Sequence, residues 1–161
     1  MTGLSEKQKL LVDELENQLE VLQVGTESLI YSYEKCQKIG LKKVYSFQEL
    51  ESYEALTSRF ARIADILTQK LFKTIFMLLQ ESPGSFIDKV NLAEKFYIID
   101  SGDELMKIRE LRNEIAHEYR LAEIQQIFSD VLDYTKTLLA MVQTTERYAK
   151  DKFFHNPIKF D

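Results

Sequence analysis

The chain has 161 residues, of which 45% are hydrophobic and 29% are charged, and its formal net charge is −5. This length and composition suit one folded domain with its own core and exclude a disordered, highly charged chain. Only 5 glycines and 2 prolines are present, which favours long uninterrupted helices over many short strands and turns.

The remaining bulk features narrow the class of protein. Cys36 is the only cysteine, which excludes an intrachain disulfide and a cluster of thiolate metal ligands. No apolar run is long enough to span a bilayer, and the first residues lack the apolar core of a signal peptide. We therefore expect a cytoplasmic protein that does not associate with a membrane. The negative net charge argues against polyanion binding over the whole surface but allows a local positive patch.

The first half of the chain predicts two long helices. The first covers about residues 5–38 as one long helix or two joined ones, since Gly25 is a possible kink. It carries Leu15, Leu22 and Leu29 on one face, and Gly40 provides a stop signal. The second begins at Ser46, which has the capping-box spacing to Glu49. Its apolar residues recur every three or four positions as far as Leu78, and Ser82, Pro83 and Gly84 end it.

The second half of the chain predicts three more helices and a tail. Ser101 and Glu104, which again have capping-box spacing, open the second of these helices, which carries the polar stretch discussed below. The three helices cover residues 88–99, about 103–118 and about 122–149. The sequence thus predicts an all-α, up-and-down helical bundle of four to five helices. It forms one domain over residues 1–161, with an extended N-terminal helix and an irregular tail from about residue 151 to 161.

One polar cluster stands out, in the stretch from Arg109 to Tyr119. At 100° per residue, Ile108, Leu111 and Ile115 point to the core. The polar residues fall across the adjoining arc, and the tyrosine lies near the core side at the helix end, where its hydroxyl can stay in water. These polar residues are Arg109, Arg112, Asn113 and His117.

An arginine and a histidine on one helix face suit a specific reaction. Cleaving RNA without a metal ion needs a base to remove the 2′-hydroxyl proton and a cation to stabilise charge on the phosphate oxygens. Histidine titrates nearest neutral pH, and the arginine fork fits phosphate geometry. A single helix offers each group once, so a two-fold dimer with facing helices would supply two sets to one cleft.

The same residues also fit a simpler interpretation. An arginine- and glutamate-rich helix face is usually just solvated, and Glu110, Glu114 and Glu118 are close enough to pair with the arginines at modest gain. From the residues alone, this solvated face remains the simpler interpretation.

The spacing Arg112-Asn113-x-x-x-His117-x-Tyr119 resembles the Arg-x4-His-x-Tyr motif of the HEPN family, and more narrowly its HepT-type ribonuclease toxins. The resemblance implies a dimeric helical bundle in which Arg112 and His117 are the ribonuclease residues and Asn113 assists them. It implies no metal or other cofactor. It also implies a partner, a minimal nucleotidyltransferase antitoxin that silences the toxin by adding AMP to the tyrosine at position 119.

Three hypotheses follow from these observations. In the first, the chain is a metal-independent endoribonuclease toxin, with Arg109 as an additional phosphate contact. In the second, it is a catalytically silent dimer that binds substrate for a separate nucleotidyltransferase. In the third, it is a structural bundle or coiled-coil-like adaptor, and Arg112 and His117 are exposed, lie far from any pocket and pair with neighbouring glutamates.

Overall fold

A computed structural model describes residues 3–117 and 121–154 of the chain. These residues form helices and contain no β-strand, which confirms the all-α class. If α2 and α3 are counted as one interrupted rod, the described residues form five helices. The α-helices are α1 Glu6–Ile39, α2 Phe47–Asp65, α3 Phe72–Leu78, α4 Phe86–Lys95, α5 Gly102–His117 and α6 Leu121–Ala149. Two π-helical turns, Ile66–Leu71 and Lys150–Phe154, join α2 to α3 and extend α6.

The long N-terminal helix α1 begins and ends at strong local signals. Ser5 caps its start by accepting a hydrogen bond from the Gln8 backbone, and the Gln8 side chain accepts one from the Ser5 backbone. Gly40 ends the helix with a φ of 75°, a conformation that costs glycine little. The helix runs without interruption through Gly25, where a Cβ would lie 2.7 Å from Cδ1 of Ile63. Glycine therefore allows α1 and α2 to approach closely.

The second rod contains a feature that the apolar periodicity did not predict. Ser46 and Glu49 form the expected capping box at its start. After Asp65 the backbone widens into a π-turn, in which the N–H of Phe72 donates to the carbonyl of Leu67 five residues earlier. Because this turn takes up one extra residue, the apolar pattern of the sequence changes phase by one position between α2 and α3.

Two predicted boundaries need correction. The helix expected over residues 88–99 covers Phe86–Lys95, because Ser85 and Asp88 form a capping box at its start. It stops at Lys95, after which Tyr97 adopts a φ of 61° and Ile98 and Ile99 turn into the core. The tail expected to be irregular from residue 151 is π-helical as far as Phe154, where Phe153 packs against the Tyr148 ring. Residues 155–161 lie outside the described residues.

The helices pack around one apolar core that positions α5 for the site described below. α1 packs along α2 and α3, α6 packs on α1 and α2, and α5 lies against α2, α4 and α6. The start of α5 is fixed on α4, because the Gly102 N–H donates to Glu94 Oε2 at 2.6 Å. A Cβ at Gly102 would lie 2.9 Å from Val90 Cγ1, so this close approach requires glycine. Each helix within residues 3–117 and 121–154 is too short or too polar to cross a membrane.

A tyrosine joins the loop after α1 to the core. Tyr53 is fully buried and stacks on Phe128 of α6 with ring centroids 4.4 Å apart. Its hydroxyl donates to the carbonyl of Gly40 at 2.7 Å, and the Cys36 carbonyl lies 3.3 Å away. The Cys36 carbonyl also accepts from the Gly40 N–H at 2.9 Å, whereas the Gly40 carbonyl lies just past the end of α1, where acceptors lack partners within the helix.

We expect Tyr53→Phe to lower the free energy of unfolding by about 1 kcal/mol, because the substitution leaves the part-buried carbonyl of Gly40 without its donor. Chemical denaturation followed by circular dichroism measures this. The matched control is Tyr31→Phe, since Tyr31 is exposed, and it should change the stability by less than about 0.5 kcal/mol. Equal stability of the two variants would contradict the role given to the Tyr53 hydroxyl.

Candidate functional site

Helix α5 places its polar residues next to the face that it buries. Ile108 and Leu111 are buried in the core. Arg109 and Arg112 are half-buried beside them, and Asn113 is exposed one step further round the helix. This is the angular order expected from helix geometry, and it directs both arginines toward α2 and α4.

Arg112 forms a two-pronged ion pair with Asp65, the last residue of α2. Its Nε donates to Oδ1 at 2.7 Å and its Nη2 donates to Oδ2 at 3.0 Å. The two side chains are 29% and 33% exposed, so the pair lies at the protein surface rather than in the core. Such parallel hydrogen bonds fix the plane of the guanidinium as well as its position. They also raise the pKa of Arg112, so the arginine stays charged.

Arg109 is held by an aromatic ring instead of a carboxylate. Its guanidinium carbon lies 3.9 Å from the centroid of the Phe86 ring, at the start of α4. A cation over an aromatic face is attracted by the ring quadrupole. This contact leaves the N–H groups at the guanidinium edge available to an anion.

These side chains line one cleft between the end of α2, the π-turn, the start of α4 and the middle of α5. Its volume is about 440 Å³. The lining residues are Ala64, Asp65, Thr68, Gln69, Phe86, Lys89, Ile108, Arg109, Arg112 and Asn113. Three cationic side chains and one carboxylate line the cleft, so it is locally positive although the chain carries a net charge of −5.

His117 lies on the same helix stripe as Arg109 and Asn113 but outside this cleft. It is exposed and is the last residue of α5. At a rise of 1.5 Å per residue, it lies about 6 Å beyond Asn113 along the helix axis. The structure therefore brings Arg109, Arg112 and Asn113 together and leaves His117 outside their cleft, at the C-terminal end of α5. Tyr119 lies outside the described residues.

The neighbouring glutamates do not pair with the arginines in the described part of the chain. Glu110 and Glu114 are exposed, and Arg112 forms its ion pair with Asp65 on another helix. This arrangement differs from the solvated-face hypothesis, which placed Arg112 away from any pocket and beside glutamates of its own helix.

Several cleft residues were absent from the sequence prediction. Asp65 lies far from Arg112 in the chain and no motif joins them; the only signal is a carboxylate inside the apolar run from Ile63 to Leu67. Lys89 and Phe86 lie on α4, for which the sequence predicted only a helix over residues 88–99. Their contribution depends on the packing of α4 against α5, which helix periodicity does not specify.

No group of three or more histidine, cysteine, aspartate or glutamate side chains within residues 3–117 and 121–154 could hold a metal ion. Comparison with protein-family models, with curated proteins and with solved structures found no match.

The geometry predicts that Asp65 and Arg112 are energetically coupled. A double-mutant cycle with Asp65→Ala and Arg112→Ala should give a coupling energy of about 1 kcal/mol, since the pair is two-pronged but partly exposed. The measurement is the unfolding free energy of the four proteins.

A second cycle between Asp65 and Arg59 serves as the control. Arg59 is also on α2, but its guanidinium donates to Ser28 and Ser32 of α1. Its coupling to Asp65 should be near zero. Equal coupling in the two cycles would mean that the Asp65–Arg112 contact is not specific.

Proposed function

We propose that this chain is a metal-independent endoribonuclease of the HEPN type, the toxin of a pair with a minimal nucleotidyltransferase. The observation that carries the proposal is the cleft itself. Arg109, Arg112 and Asn113 converge there with Lys89 from another helix, and His117 follows on the same stripe of α5. A solvated helix face would not require a positively charged cleft next to the histidine.

The charge and shape of the cleft suit a phosphodiester. The guanidinium of Arg112 has five N–H donors, and the two bonds to Asp65 leave others that can reach an oxyanion. The guanidinium of Arg109 lies over the Phe86 ring, and Lys89 adds a point charge. Because the donors come from two helices fixed by core packing, they are positioned before a ligand arrives.

In the proposed reaction His117 removes the proton from the 2′-hydroxyl of a ribose. The 2′-oxygen then attacks the adjacent phosphorus, and the bond from phosphorus to the 5′-oxygen breaks. The products are a 2′,3′-cyclic phosphate and a 5′-hydroxyl, which takes its proton from a second, protonated histidine. Arg112 stabilises the negative charge that builds on the phosphate oxygens, and Asn113 orients the phosphate.

A homodimer supplies the second histidine. His117 is exposed at the C-terminal end of α5, and in the proposed dimer a two-fold related copy brings its own His117 to the same phosphate. Each copy also contributes the three cations of its cleft. The shared groove would therefore attract an RNA backbone despite the acidic surface elsewhere.

The partner in this proposal acts on Tyr119. In this proposal the phosphate ester of an adenylyl group on this tyrosine binds the arginines of α5 and thereby excludes RNA. This mechanism makes the modification inhibitory without unfolding the bundle.

We expect His117→Ala and Arg112→Ala each to lower RNA cleavage by at least about 10²-fold, because the first loses the proton acceptor and the second loses the phosphate cation. The assay uses the purified chain, RNA oligonucleotides and a chelator. Arg147→Ala is the control, since Arg147 is exposed on α6 away from the cleft, and it should cleave normally. Full activity of His117→Ala, with the fold intact, would end the proposal.

Co-expression with a minimal nucleotidyltransferase should add the mass of one adenylyl group to the chain. Tyr119→Phe should abolish the increment, and Tyr97→Phe should retain it, since Tyr97 is also exposed but lies far from the motif. Intact-mass spectrometry checks this. An increment that persists in Tyr119→Phe would contradict the assignment of the modified residue.

One observation favours the silent binding partner as a second candidate. The pair with Asp65 already engages two donors of Arg112 and partly neutralises its charge. This partial neutralisation of Arg112 would weaken its stabilisation of the transition state more than it weakens its binding of a phosphate. Expression of the chain alone separates the two functions, because the toxin arrests growth and the silent partner does not.

A further inference from the structure

The negative charge of the chain is concentrated on the middle of α1. Residues 13–34 contain six carboxylates and neither lysine nor arginine, so this segment alone is more negative than the chain, whose net charge is −5. All six carboxylates are exposed. Among the described residues none of them forms an ion pair. The six are Asp13, Glu14, Glu16, Glu20, Glu27 and Glu34.

A stripe of exposed apolar side chains runs along the same helix. Leu10 is 68% exposed, Val21 59%, Val24 68% and Tyr31 63%. Their spacing places them on one face, opposite the leucines that α1 buries. The distance from Leu10 to Tyr31 is about 31 Å at 1.5 Å per residue, and the exposed polar residues Asp13 and Asn17 lie on the same face between Leu10 and Val21. Helix α1 therefore buries one apolar face in the core and carries further apolar side chains, exposed, on its outer face.

A groove between α1 and α6 borders this stripe. Its volume is about 640 Å³. Glu16, Glu20 and Glu27 line it from α1, and Glu146 and Val142 line it from α6. Burial raises the pKa of Glu146, although the charge of Lys150 partly offsets the effect. Carboxylates therefore flank the apolar stripe on the side that faces α6.

A second copy of the chain fits this surface poorly. If two α1 helices packed antiparallel through Val21 and Val24, Glu20 of each copy would face Glu27 of the other. Like charges beside an apolar seam disfavour helix pairing. A helix with lysine or arginine at the flanking positions would meet these carboxylates favourably instead.

We propose that the outer face of α1, together with the α1–α6 groove, binds an amphipathic helix of a separate protein whose apolar stripe is flanked by lysine and arginine. The apolar stripe would provide the buried area of a helix-in-groove complex, and the carboxylates would select a basic partner and set its register. This surface shares no residue with the cleft of α5, so the two can be tested independently.

The experiment measures binding of a fluorescent helical peptide of about 21 residues, which matches the length of the stripe. The peptide carries leucine at heptad core positions and lysine at the flanking positions. Two peptides serve as ligand controls: one of the same composition in scrambled order, and one with glutamate in place of lysine. Fluorescence anisotropy is measured against the full chain and its variants.

Three multiple variants test the surface, and circular dichroism verifies that each one folds. The first reverses groove charges, the second reverses exposed charges elsewhere on α2 and α5, and the third removes apolar surface. They are Glu16→Lys/Glu20→Lys/Glu27→Lys, Glu51→Lys/Glu54→Lys/Glu110→Lys and Val21→Ser/Val24→Ser.

The groove reversal should weaken binding of the lysine peptide by at least about tenfold, since three favourable charge contacts become repulsive. The control Glu51→Lys/Glu54→Lys/Glu110→Lys should bind the peptide as the wild type does. Val21→Ser/Val24→Ser should bind it several-fold more weakly. RNA cleavage should be unchanged in the groove reversal, so failure of this inference is distinguishable from failure of the proposed ribonuclease.

Two outcomes would overturn the inference. The first is equal affinity for the scrambled peptide, or equal loss in the control Glu51→Lys/Glu54→Lys/Glu110→Lys, which would indicate nonspecific attraction to an acidic protein. The second is a disulfide between two copies of Val24→Cys at low protein concentration, which would show that this face is covered by another copy of the chain.

Discussion

The ion pair between Asp65 and Arg112 determines where the central guanidinium of the cleft points. Asp65 engages Nε and one terminal nitrogen, so the other N–H groups of the fork face away from α2. An unpaired arginine would sample many rotamers and lose conformational entropy on binding a phosphate. The carboxylate removes that cost in advance but lowers the net attraction for an anion. In the proposed phosphate site, the ion pair would therefore give positional accuracy at the expense of affinity, and neighbouring cations would have to compensate.

Arg109 and Lys89 supply that compensation because neither is engaged by a carboxylate in the described residues. The acidic net charge of the chain does not conflict with such a cleft, since the carboxylates are concentrated on the middle of α1 and the remainder of the chain is slightly positive. Exposed charges farther apart than about 8–10 Å are largely screened at physiological ionic strength. A positive cleft and an acidic helix face can therefore coexist on one small bundle with little mutual interference.

The parts of this architecture that local chemistry controls were predictable. Apolar periodicity indicated the long helices, and the pair Ser46 and Glu49 marked the start of α2. The start of α4 was placed two residues late, because its capping box uses Asp88 rather than a glutamate or glutamine.

The motif located Arg112 and Asn113, since both are on one helix. It could not locate Asp65, Phe86 or Lys89, because contacts between helices depend on crossing geometry rather than on sequence spacing. Whether His117 acts as the base stays a prediction.

The π-turn after Asp65 has a consequence for the tolerance of this rod to changes in length. An α-helix turns by about 100° for each residue. The π-turn contains one residue more than a regular α-helical turn, so this extra residue does not rotate α3 relative to α2. Deleting a single residue between positions 66 and 71 would therefore allow an uninterrupted α-helix, which the backbone favours. The same deletion would leave Asp65 and Phe72 on the faces that they occupy now, because the residue removed is the one that the π-turn takes up. Deleting a residue within α2 or α3 would instead rotate one part of the rod by about 100° relative to the other. The rod is therefore most tolerant of shortening at this turn.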